Sequence, residues 1–390
     1  MPLDVDRARA ETPGCRSVVH LNNAGASLPP QPVLDAVIDH LRLEASIGGY
    51  EAAADQGPAI EHAYDAVATL LGARREEIAL VENATRAWDM AFYALPLEPG
   101  DRILTATSEY ASNVIAFLQL ARRRGVRVEV VPDDPSGQLD VEALRGLLDE
   151  RVKLIAINHV PTHNGLVNPA AEIGKVAREA GVPYLLDACQ SVGQMPVDVA
   201  EIGCDLLSAT GRKFLRGPRG TGFLFVSERV LERLDPPFLD LHAADWTAPD
   251  EYVVRPDARR FESWESSLAC RVGLGAAVDY ALGFGLDAVQ ERVTGLAAGL
   301  RERLRAIPGV TVHDRGERLC GIVTFSVAGH EAGEVAAALA RQRINVSQSR
   351  PEAARYDFEA RGLPALVRAS AHYYNTEDEL EALARVVEAL

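Results

Sequence analysis

The chain has 390 residues, of which 47 % are hydrophobic and 25 % charged, a composition typical of a globular protein with more than one domain. The net charge of −16, with acidic and arginine residues interspersed, argues against a nucleic-acid partner, which would need a basic face. No apolar run approaches a signal peptide or membrane span, and the five cysteines form no CxxC pair. We therefore expect a cytoplasmic protein without membrane contact, a disulfide framework or a zinc site.

Short apolar runs alternate with helical patterns from about residue 76 to 226, and this alternation predicts a mainly parallel sheet covered by helices on both faces. Asp140 is predicted to cap one of these helices, and Asn168 followed by Pro169 is predicted to begin another. Ligands of such a sheet bind at the carboxyl ends of its strands. The predicted strands are 77–81, 102–106, 126–131, 154–159, 184–187, 205–208 and 222–226.

Beyond about residue 256 the pattern changes to long amphipathic helices and one clear strand. Thr376 and Glu379 form a capping box before the last helix. We therefore predict an α/β protein with an N-terminal segment (1–20), a large ligand-binding domain (21–255) and a smaller α+β domain (256–390). The predicted elements of the small domain are helices at 275–282, 286–306 and 332–343 and a strand at 321–327.

One lysine has an unusual setting. Only three of the 40 basic residues are lysines, and Lys213 alone lies in a glycine-rich turn between two apolar segments. An arginine guanidinium stays protonated and cannot form a Schiff base, so a lysine kept in an arginine-rich chain is a candidate for amine chemistry. The alternative is that Lys213 is an ordinary loop residue.

Asp187 ends the apolar run that begins at Val182, and a carboxylate in such a position needs a cationic or hydrogen-bonding partner. It is suited to hold the protonated ring nitrogen of pyridoxal phosphate, with Gln190 donating to the phenolate oxygen. Alone, Asp187 is more simply interpreted as a strand-end cap. With Lys213 placed after another strand, the functional interpretation becomes the stronger one.

Other residues fit the same site, each with a simpler alternative. Ala84 and Thr85 open a helix after a strand and provide a phosphate cradle, although many such turns are only caps. Tyr110 is placed to stack on an aromatic ring, or else packs as a partly buried tyrosine. Arg368 is suited to clamp a substrate carboxylate, or else forms a surface salt bridge. His159 and His163 lack the spacing of metal ligands, so no metal is predicted.

These motifs together resemble those of the class V aminotransferase-fold (fold type I) pyridoxal-phosphate enzymes, which include cysteine desulfurases, isopenicillin N epimerase and cysteine-conjugate lyases. The resemblance runs from His20 to Thr376 and is strongest in Asp187-Ala-Cys-Gln190, Thr210-Gly-Arg-Lys213 and the final Arg368-Ala-Ser. It implies bound pyridoxal 5′-phosphate, a small amino-acid substrate and a homodimer with the active site at the subunit interface.

The resemblance also assigns roles. Lys213 would be the catalytic Schiff-base lysine, Asp187 the ring-nitrogen partner and Gln190 the phenolate-oxygen partner. Glu265 stands where the family usually has a cross-subunit threonine. Arg368 would bind the substrate carboxylate, in a substrate site that also includes Ala24, Gly25, Tyr50 and His163. The remaining cofactor contacts implied by the resemblance are Tyr110, Ala84, Thr85, Thr162, Thr210 and Arg212.

Departures from the desulfurase pattern lead to a functional expectation. The family's desulfurases carry a nucleophilic cysteine shortly before the terminal Arg-Ala-Ser, and residues 344–355 contain none. Several replacements, including Glu109-Tyr110 and Arg212-Lys213, resemble ergothioneine-type C–S lyases with natural-product roles. We therefore expect a cysteine S-conjugate β-lyase that uses Lys213 as base and yields pyruvate and ammonia, and not a cysteine desulfurase. Transamination, epimerisation and decarboxylation-coupled deamination are the alternatives, and a catalytically silent cofactor-binding scaffold is a more remote one.

Overall fold

A computed structural model describes residues 3–390. The helices are α1 Val5–Ala10, α2 Gln31–Ile47, α3 Gly49–Asp55, α4 Gly57–Leu71, α5 Ala84–Tyr93, α6 Ala111–Arg124, α7 Val141–Leu147, α8 Ala170–Ala180, α9 Val199–Ile202, α10 Glu228–Leu231, α11 Leu268–Phe284, α12 Leu286–Ala306, α13 Ala332–Arg341, α14 Arg355–Arg361 and α15 Glu377–Glu388. The strands are β1 Val19–His20, β2 Ile78–Val81, β3 Arg102–Ala106, β4 Arg127–Val131, β5 Val152–Asn158, β6 Tyr184–Asp187, β7 Leu206–Thr210, β8 Gly222–Val226, β9 Ala244–Ala248, β10 Glu251–Val254, β11 Val310–Val312, β12 Ile322–Val327, β13 Ile344–Asn345, β14 Ser347–Ser349 and β15 Leu366–Ser370.

The large sheet has seven strands in the order β2-β8-β7-β6-β5-β3-β4. Strand β8 runs antiparallel to both its neighbours, and the other neighbouring pairs are parallel. Every residue of β2, β6, β7 and β8 is buried, as expected for apolar strands covered by helices on both faces. The carboxyl ends of β2, β3, β5, β6 and β7 therefore meet at one edge, which confirms the predicted α/β fold with a mainly parallel sheet.

The local start signals are confirmed at two helices and wrong at a third. The Asp140 carboxylate accepts from the backbone N–H groups of Glu142 and Ala143, and Thr376 forms the expected capping box. Asn168 does not cap α8, because its side chain is held by other partners. Its Nδ2 donates to the Asn158 carbonyl at 2.9 Å and its Oδ1 accepts from Leu139 N at 3.2 Å.

The small sheet is antiparallel, in the order β11-β12-β15-β14. Helices α12, α13 and α15 cover it with an apolar cluster that includes Leu300, Val335 and Leu383. Helix α11 lies beyond the predicted boundary at residue 255/256 but packs against α2 and α4 of the large domain. Strand β1 of the N-terminal segment pairs with β13, so this segment is joined to the predicted small domain.

Within residues 3–390, no individual helix combines the length and apolarity needed to cross a membrane. Only α11 and α12 taken together meet that measure, and the two helices are bent by 79° from each other.

One helix–helix contact depends on a glycine. A Cβ added to Gly174 in α8 would lie 1.8 Å from the Ile202 carbonyl oxygen at the end of α9. We predict that Gly174→Ala lowers the free energy of unfolding by about 1–3 kcal/mol through overpacking. Gly295 in α12 has no atom within 4 Å of such a Cβ, so Gly295→Ala should raise stability by about 0.5–1 kcal/mol. Urea denaturation measures both changes, and equal effects of the two variants would contradict the packing argument.

Candidate active site

A cleft of about 470 Å³ lies at the edge where the strand ends of the large sheet meet. Its volume is that of a pocket for a small organic molecule. The cleft confirms that the sequence motifs far apart in the chain come together. It is lined by Asn83, Ala84, Thr85, Tyr110, Asn113, Asp187, Cys189, Thr210, Arg212 and Lys213.

Asp187 is the last residue of β6 and its carboxylate is 8 % exposed. Its Oδ1 accepts from the backbone N–H of Cys189 at 2.9 Å, and its Oδ2 accepts from Asn113 Nδ2 at 3.1 Å. These two donors fix the orientation of the carboxylate and partly replace the water that it loses. The burial that the sequence predicted is therefore matched by hydrogen bonds.

Lys213 lies three residues after β7, in a turn closed by a hydrogen bond from Gly217 N to the Gly211 carbonyl at 2.8 Å. Desolvation lowers the pKa of Lys213, and Arg212 and Arg368 add to this effect, whereas Cys189 and Asp187 oppose it. A lowered pKa increases the fraction of neutral amine, which is the form that acts as a nucleophile or base.

The turn that carries Lys213 is held in place by a buried arginine. Arg216 has a positive φ of 63° and its side chain is 1 % exposed. Its guanidinium donates to the Leu28 carbonyl at 2.9 Å and the Tyr373 hydroxyl at 2.7 Å, and also to the Thr12 hydroxyl. These bonds connect the lysine turn to the N-terminal segment and to the end of the small domain. Nothing in the sequence distinguishes Arg216 from the other arginines, so its role was not predicted.

The N-terminus of α5 forms one end of the cleft. The Asn83 side chain caps α5 by accepting from Arg86 N at 2.9 Å, which leaves the amides of the first turn beside the cleft. Gly222 of β8 is packed against this turn, since an added Cβ would lie 2.6 Å from the Asn83 carbonyl carbon. A helix N-terminus with Thr85, Thr210 and Arg212 beside it is suited to bind a phosphate.

A hydrogen-bond network joins Gln190, Thr162 and Arg368 at the other side of the site. Gln190 Nε2 donates to Thr162 Oγ1 at 3.2 Å and to the Ala24 carbonyl at 3.1 Å. Arg368 Nη1 donates to the Thr162 hydroxyl and carbonyl at 2.8 and 2.9 Å. Among residues 3–390, Gln190 Oε1 and Arg368 Nε are buried without a hydrogen-bond partner. The network therefore retains one acceptor and one cationic donor for a ligand.

Arg368 is a buried cation without a carboxylate partner in the part of the chain that the structure describes. Burial lowers the pKa of Arg368 to about 10, and neighbouring Arg212 contributes to that decrease. A ligand carboxylate would supply the missing negative charge and a bidentate acceptor. The geometry therefore agrees with the predicted carboxylate-binding role better than with a surface salt bridge.

The remaining predicted substrate residues lie in three different environments. The Gly25 carbonyl accepts from Arg212, which lines the cleft, and Ala24 N donates to Ser370 Oγ at 2.9 Å. Ala24 and Gly25 therefore lie beside the site, held by their backbone groups. Tyr50 is 82 % exposed on α3 and does not line the cleft of this chain. His163 is 1 % exposed, and its Nε2 lies 2.9 Å from Asp357 Oδ2. Direct substrate contact by Tyr50 or His163 therefore stays a prediction.

Residues 344–361 lie beside this site as an ordered segment. Strand β14 pairs with β15, with Ser347 opposite Arg368, and α14 follows. Asp357 of α14 binds both His163 and Arg361, and these two partners lower the pKa of Asp357 against the effect of burial. No thiol lies in this segment, whereas Cys189 lines the cleft and is partly exposed.

Sequence reasoning missed Asn113, Glu109 and Cys189 as residues of the site. Asn113 and Glu109 lie next to the predicted Tyr110, at the end of β3 and the start of α6. The burial of these two polar side chains is not visible in the sequence, so neither residue had a usable signal.

The chain matches the family model described as Aminotransferase class-V over residues 19–383. A probable cysteine desulfurase of Methanothermobacter thermautotrophicus is 30 % identical over 402 aligned positions, covering 100 % of this chain and 98 % of the relative. Another of Xylella fastidiosa is 33 % identical, covering 97 % of this chain and 93 % of the relative.

The chain belongs to the class V aminotransferase family. The apo structure of a cysteine desulfurase from Thermococcus onnurineus superimposes with a TM-score of 0.92 at 27 % identity, covering 100 % of this chain and 98 % of that one. The structure of the cystine C–S lyase C-DES has a TM-score of 0.86 at 23 % identity, which shows the shared fold alone. The cofactor of this enzyme is pyridoxal 5′-phosphate.

The residues of the cleft fit this cofactor. Lys213 would supply the amine for covalent attachment, and Asp187 would supply the buried carboxylate for the ring nitrogen. The N-terminus of α5 would supply the phosphate cradle, and the hydrogen-bonded pair Gln190 and Thr162 would bind the phenolate oxygen. Tyr110 is 37 % exposed at the cleft wall and free to stack on a ring.

The expected function is corrected by these relatives. The prediction of a cysteine S-conjugate β-lyase, together with the argument against a desulfurase, is wrong, because full-length relatives at about 30 % identity are named cysteine desulfurases. The prediction was wrong because it relied on the absence of a cysteine from residues 344–355. Its absence excludes one acceptor for the sulfur atom and leaves the residues that activate the amino acid unchanged.

We predict that Lys213→Arg abolishes the visible absorbance of the cofactor-loaded protein, because arginine keeps the positive charge but cannot bind the aldehyde covalently. Lys175 is exposed on α8, so Lys175→Arg serves as the matched control and should keep the full absorbance. Absorbance spectra after loading with pyridoxal phosphate and removal of the excess measure both. An unchanged band in Lys213→Arg would exclude this lysine as the point of attachment.

Proposed function

We propose that the protein is a cysteine desulfurase, which removes the sulfur atom of L-cysteine and leaves L-alanine. The observation that carries the proposal is the cleft lined by Lys213 and Asp187, with the unpaired cation Arg368 close enough to lower the pKa of Lys213. The choice of L-cysteine as substrate follows from the family relatives, which are named cysteine desulfurases.

The cleft residues have separate tasks in this reaction. Arg368 binds the carboxylate of cysteine, because a buried guanidinium without a protein carboxylate gains most from that partner. Bound pyridoxal phosphate supplies an aromatic ring that stabilises negative charge developing at Cα. The Lys213 amine, with its lowered pKa, takes the Cα proton and returns a proton to carbon. Asp187 keeps a negative charge beside the ring nitrogen.

The sulfur atom needs a thiol acceptor. In the proposed step an acceptor thiolate forms an S–S bond with the cysteine sulfur, and the Cβ–S bond breaks. The two electrons of that bond remain on carbon, which takes a proton, so cysteine and a thiol give alanine and a persulfide. Elimination differs, because there the sulfur leaves with the electrons and the carbon skeleton ends as pyruvate.

We propose that the acceptor is a thiol from outside the chain. Residues 344–355 supply none, and Cys204 and Cys320 are buried. Cys189 lines the cleft, but burial and the adjacent Asp187 raise the pKa of its thiol and keep it in the poorly nucleophilic neutral form. A small thiol from solution can instead enter the cleft.

We predict that alanine formation from L-cysteine by the cofactor-loaded protein rises with the concentration of an added small thiol such as dithiothreitol, above the rate that a second molecule of L-cysteine supports as acceptor. Cys189→Ser should keep alanine formation within about twofold, because the thiol is not the acceptor. Alanine and pyruvate are measured by chromatography, and sulfide is measured after reduction of the persulfide.

Three outcomes separate the parts of this proposal. Pyruvate in place of alanine would exclude desulfurase chemistry. Alanine formation without an added thiol that is lost in Cys189→Ser would identify Cys189 as the acceptor. Cys270→Ser is the control for a partly exposed cysteine outside the cleft, and it should behave as the unchanged protein does.

We also propose that the protein is a homodimer, with a second copy covering the hairpin of β9 and β10. Trp246 and Tyr252 are paired across this hairpin and are 80 % and 61 % exposed. An isolated two-stranded hairpin is marginally stable by itself, and large exposed aromatic side chains are typical of interfaces. A second copy of the same chain is the occupant that the family resemblance predicts.

We predict that Trp246→Glu shifts the protein from dimer to monomer by placing a charge in the interface. Light scattering coupled to size exclusion measures the mass at several concentrations. Glu142→Gln is the control for a surface change, because Glu142 is an exposed residue of α7. This variant should leave the mass unchanged. A monomeric unchanged protein would overturn the proposal.

A further inference from the structure

A second buried carboxylate lies behind Asp187. Glu109 follows β3 and is 1 % exposed, and no arginine, lysine or histidine forms a salt bridge with it in the part of the chain described. Its Oε1 accepts from the backbone N–H of Tyr110 at 2.7 Å, and its Oε2 lies 3.2 Å from Thr105 Oγ1. A buried carboxylate without a cation is costly in its charged form.

Asn113 connects the two carboxylates. Its Nδ2 group donates one hydrogen to Glu109 Oε1 at 2.9 Å and the other to Asp187 Oδ2 at 3.1 Å. Since an amide nitrogen has two donors and the amide oxygen has none, the Glu109 contact fixes which end of the Asn113 side chain faces Asp187. Without that contact the amide can rotate and present its oxygen to the aspartate.

The two carboxylates have different surroundings. Asp187 accepts from two N–H donors and faces Lys213, whereas the titratable groups facing Glu109 are Asp187 itself and the phenols of Tyr184 and Tyr356. Burial first, and then the charge of Asp187, raise the pKa of Glu109 to about 8. Near neutral pH Glu109 is therefore mainly protonated and adds no second negative charge beside Asp187.

We propose that Glu109 is a neutral positioning residue which, through Asn113, orients Asp187 and leaves it as the single ionised carboxylate beneath the cofactor's ring nitrogen. The arrangement places one full negative charge where the ring nitrogen needs it. The inference rests on the cofactor assignment and is independent of which sulfur compound is converted, because its test uses no substrate.

Two substitutions separate charge from positioning. Glu109→Gln keeps an acceptor for Asn113 and is always neutral, whereas Glu109→Leu has a similar size and lacks the acceptor. Asp133→Asn is the matched control, because Asp133 is another partly buried carboxylate, whose pKa burial raises to about 6, and it makes no contact with Asp187. Asn113→Ala removes the bridge by a second route if the leucine variant fails to fold.

The first readout is the infrared band of a protonated carboxyl group in the cofactor-loaded protein at about pH 7. We expect the band in the unchanged protein and in Asp133→Asn, and its loss in Glu109→Gln. As pH rises past about 8, the band of the unchanged protein should disappear. A band that survives in Glu109→Gln, or none in the unchanged protein near pH 7, would overturn the neutral state of Glu109.

The second readout is the ¹⁵N chemical shift of the ring nitrogen in protein loaded with labelled pyridoxal phosphate. Near neutral pH, Glu109→Gln should leave this shift unchanged, and Glu109→Leu and Asn113→Ala should both move it toward the unprotonated value. Cofactor affinity should fall about tenfold in the same two variants and change little in Glu109→Gln. An unchanged ring-nitrogen shift in both the leucine and alanine variants would exclude a positioning role.

Discussion

The active site depends on keeping one carboxylate ionised at the end of a buried strand. Cys189 N and Asn113 Nδ2 both donate to Asp187 there, and these hydrogen bonds stabilise the charged form of its carboxylate. That charge needs a polar environment, whereas the sheet that positions it is built from apolar residues. Both requirements are met at the end of the strand, where the apolar sheet gives way to polar loops and where parallel sheets bind their ligands.

The lysine opposite Asp187 depends on a second buried charge. Arg216 adopts a left-handed backbone conformation and binds three oxygens from the N-terminal segment, the loop before α2 and the small domain. The groups that hold the lysine turn therefore come from both ends of the chain. As a result, the position of the Lys213 amine depends on the assembly of both domains. A glycine would suit the positive φ but would lose the three hydrogen bonds.

The strands of the large sheet were predictable because apolar runs between turn signals are a local property, and the ends of the observed strands differ from the predicted ends by at most two residues. The pairing of Asp187 with Lys213 was predictable because both follow such runs. Asn168 was assigned to a cap, but tertiary partners at Asn158 and Leu139 compete for the same side chain. Glu109 was read only as part of a motif, since its burial and its contact with Asn113 are not visible in a sequence.

The error about the reaction has a specific physical origin. Residues 344–355 lack a thiol, and this absence was taken to exclude desulfurase chemistry. In the proposed reaction the groups that make Cα acidic are Lys213, Asp187 and the cofactor, and they are the same whether the sulfur leaves as an anion or is captured by a thiol. The identity of the acceptor determines only the fate of the sulfur and of the bonding electrons. A missing acceptor in one segment therefore limits where the sulfur goes and leaves the activation of cysteine intact.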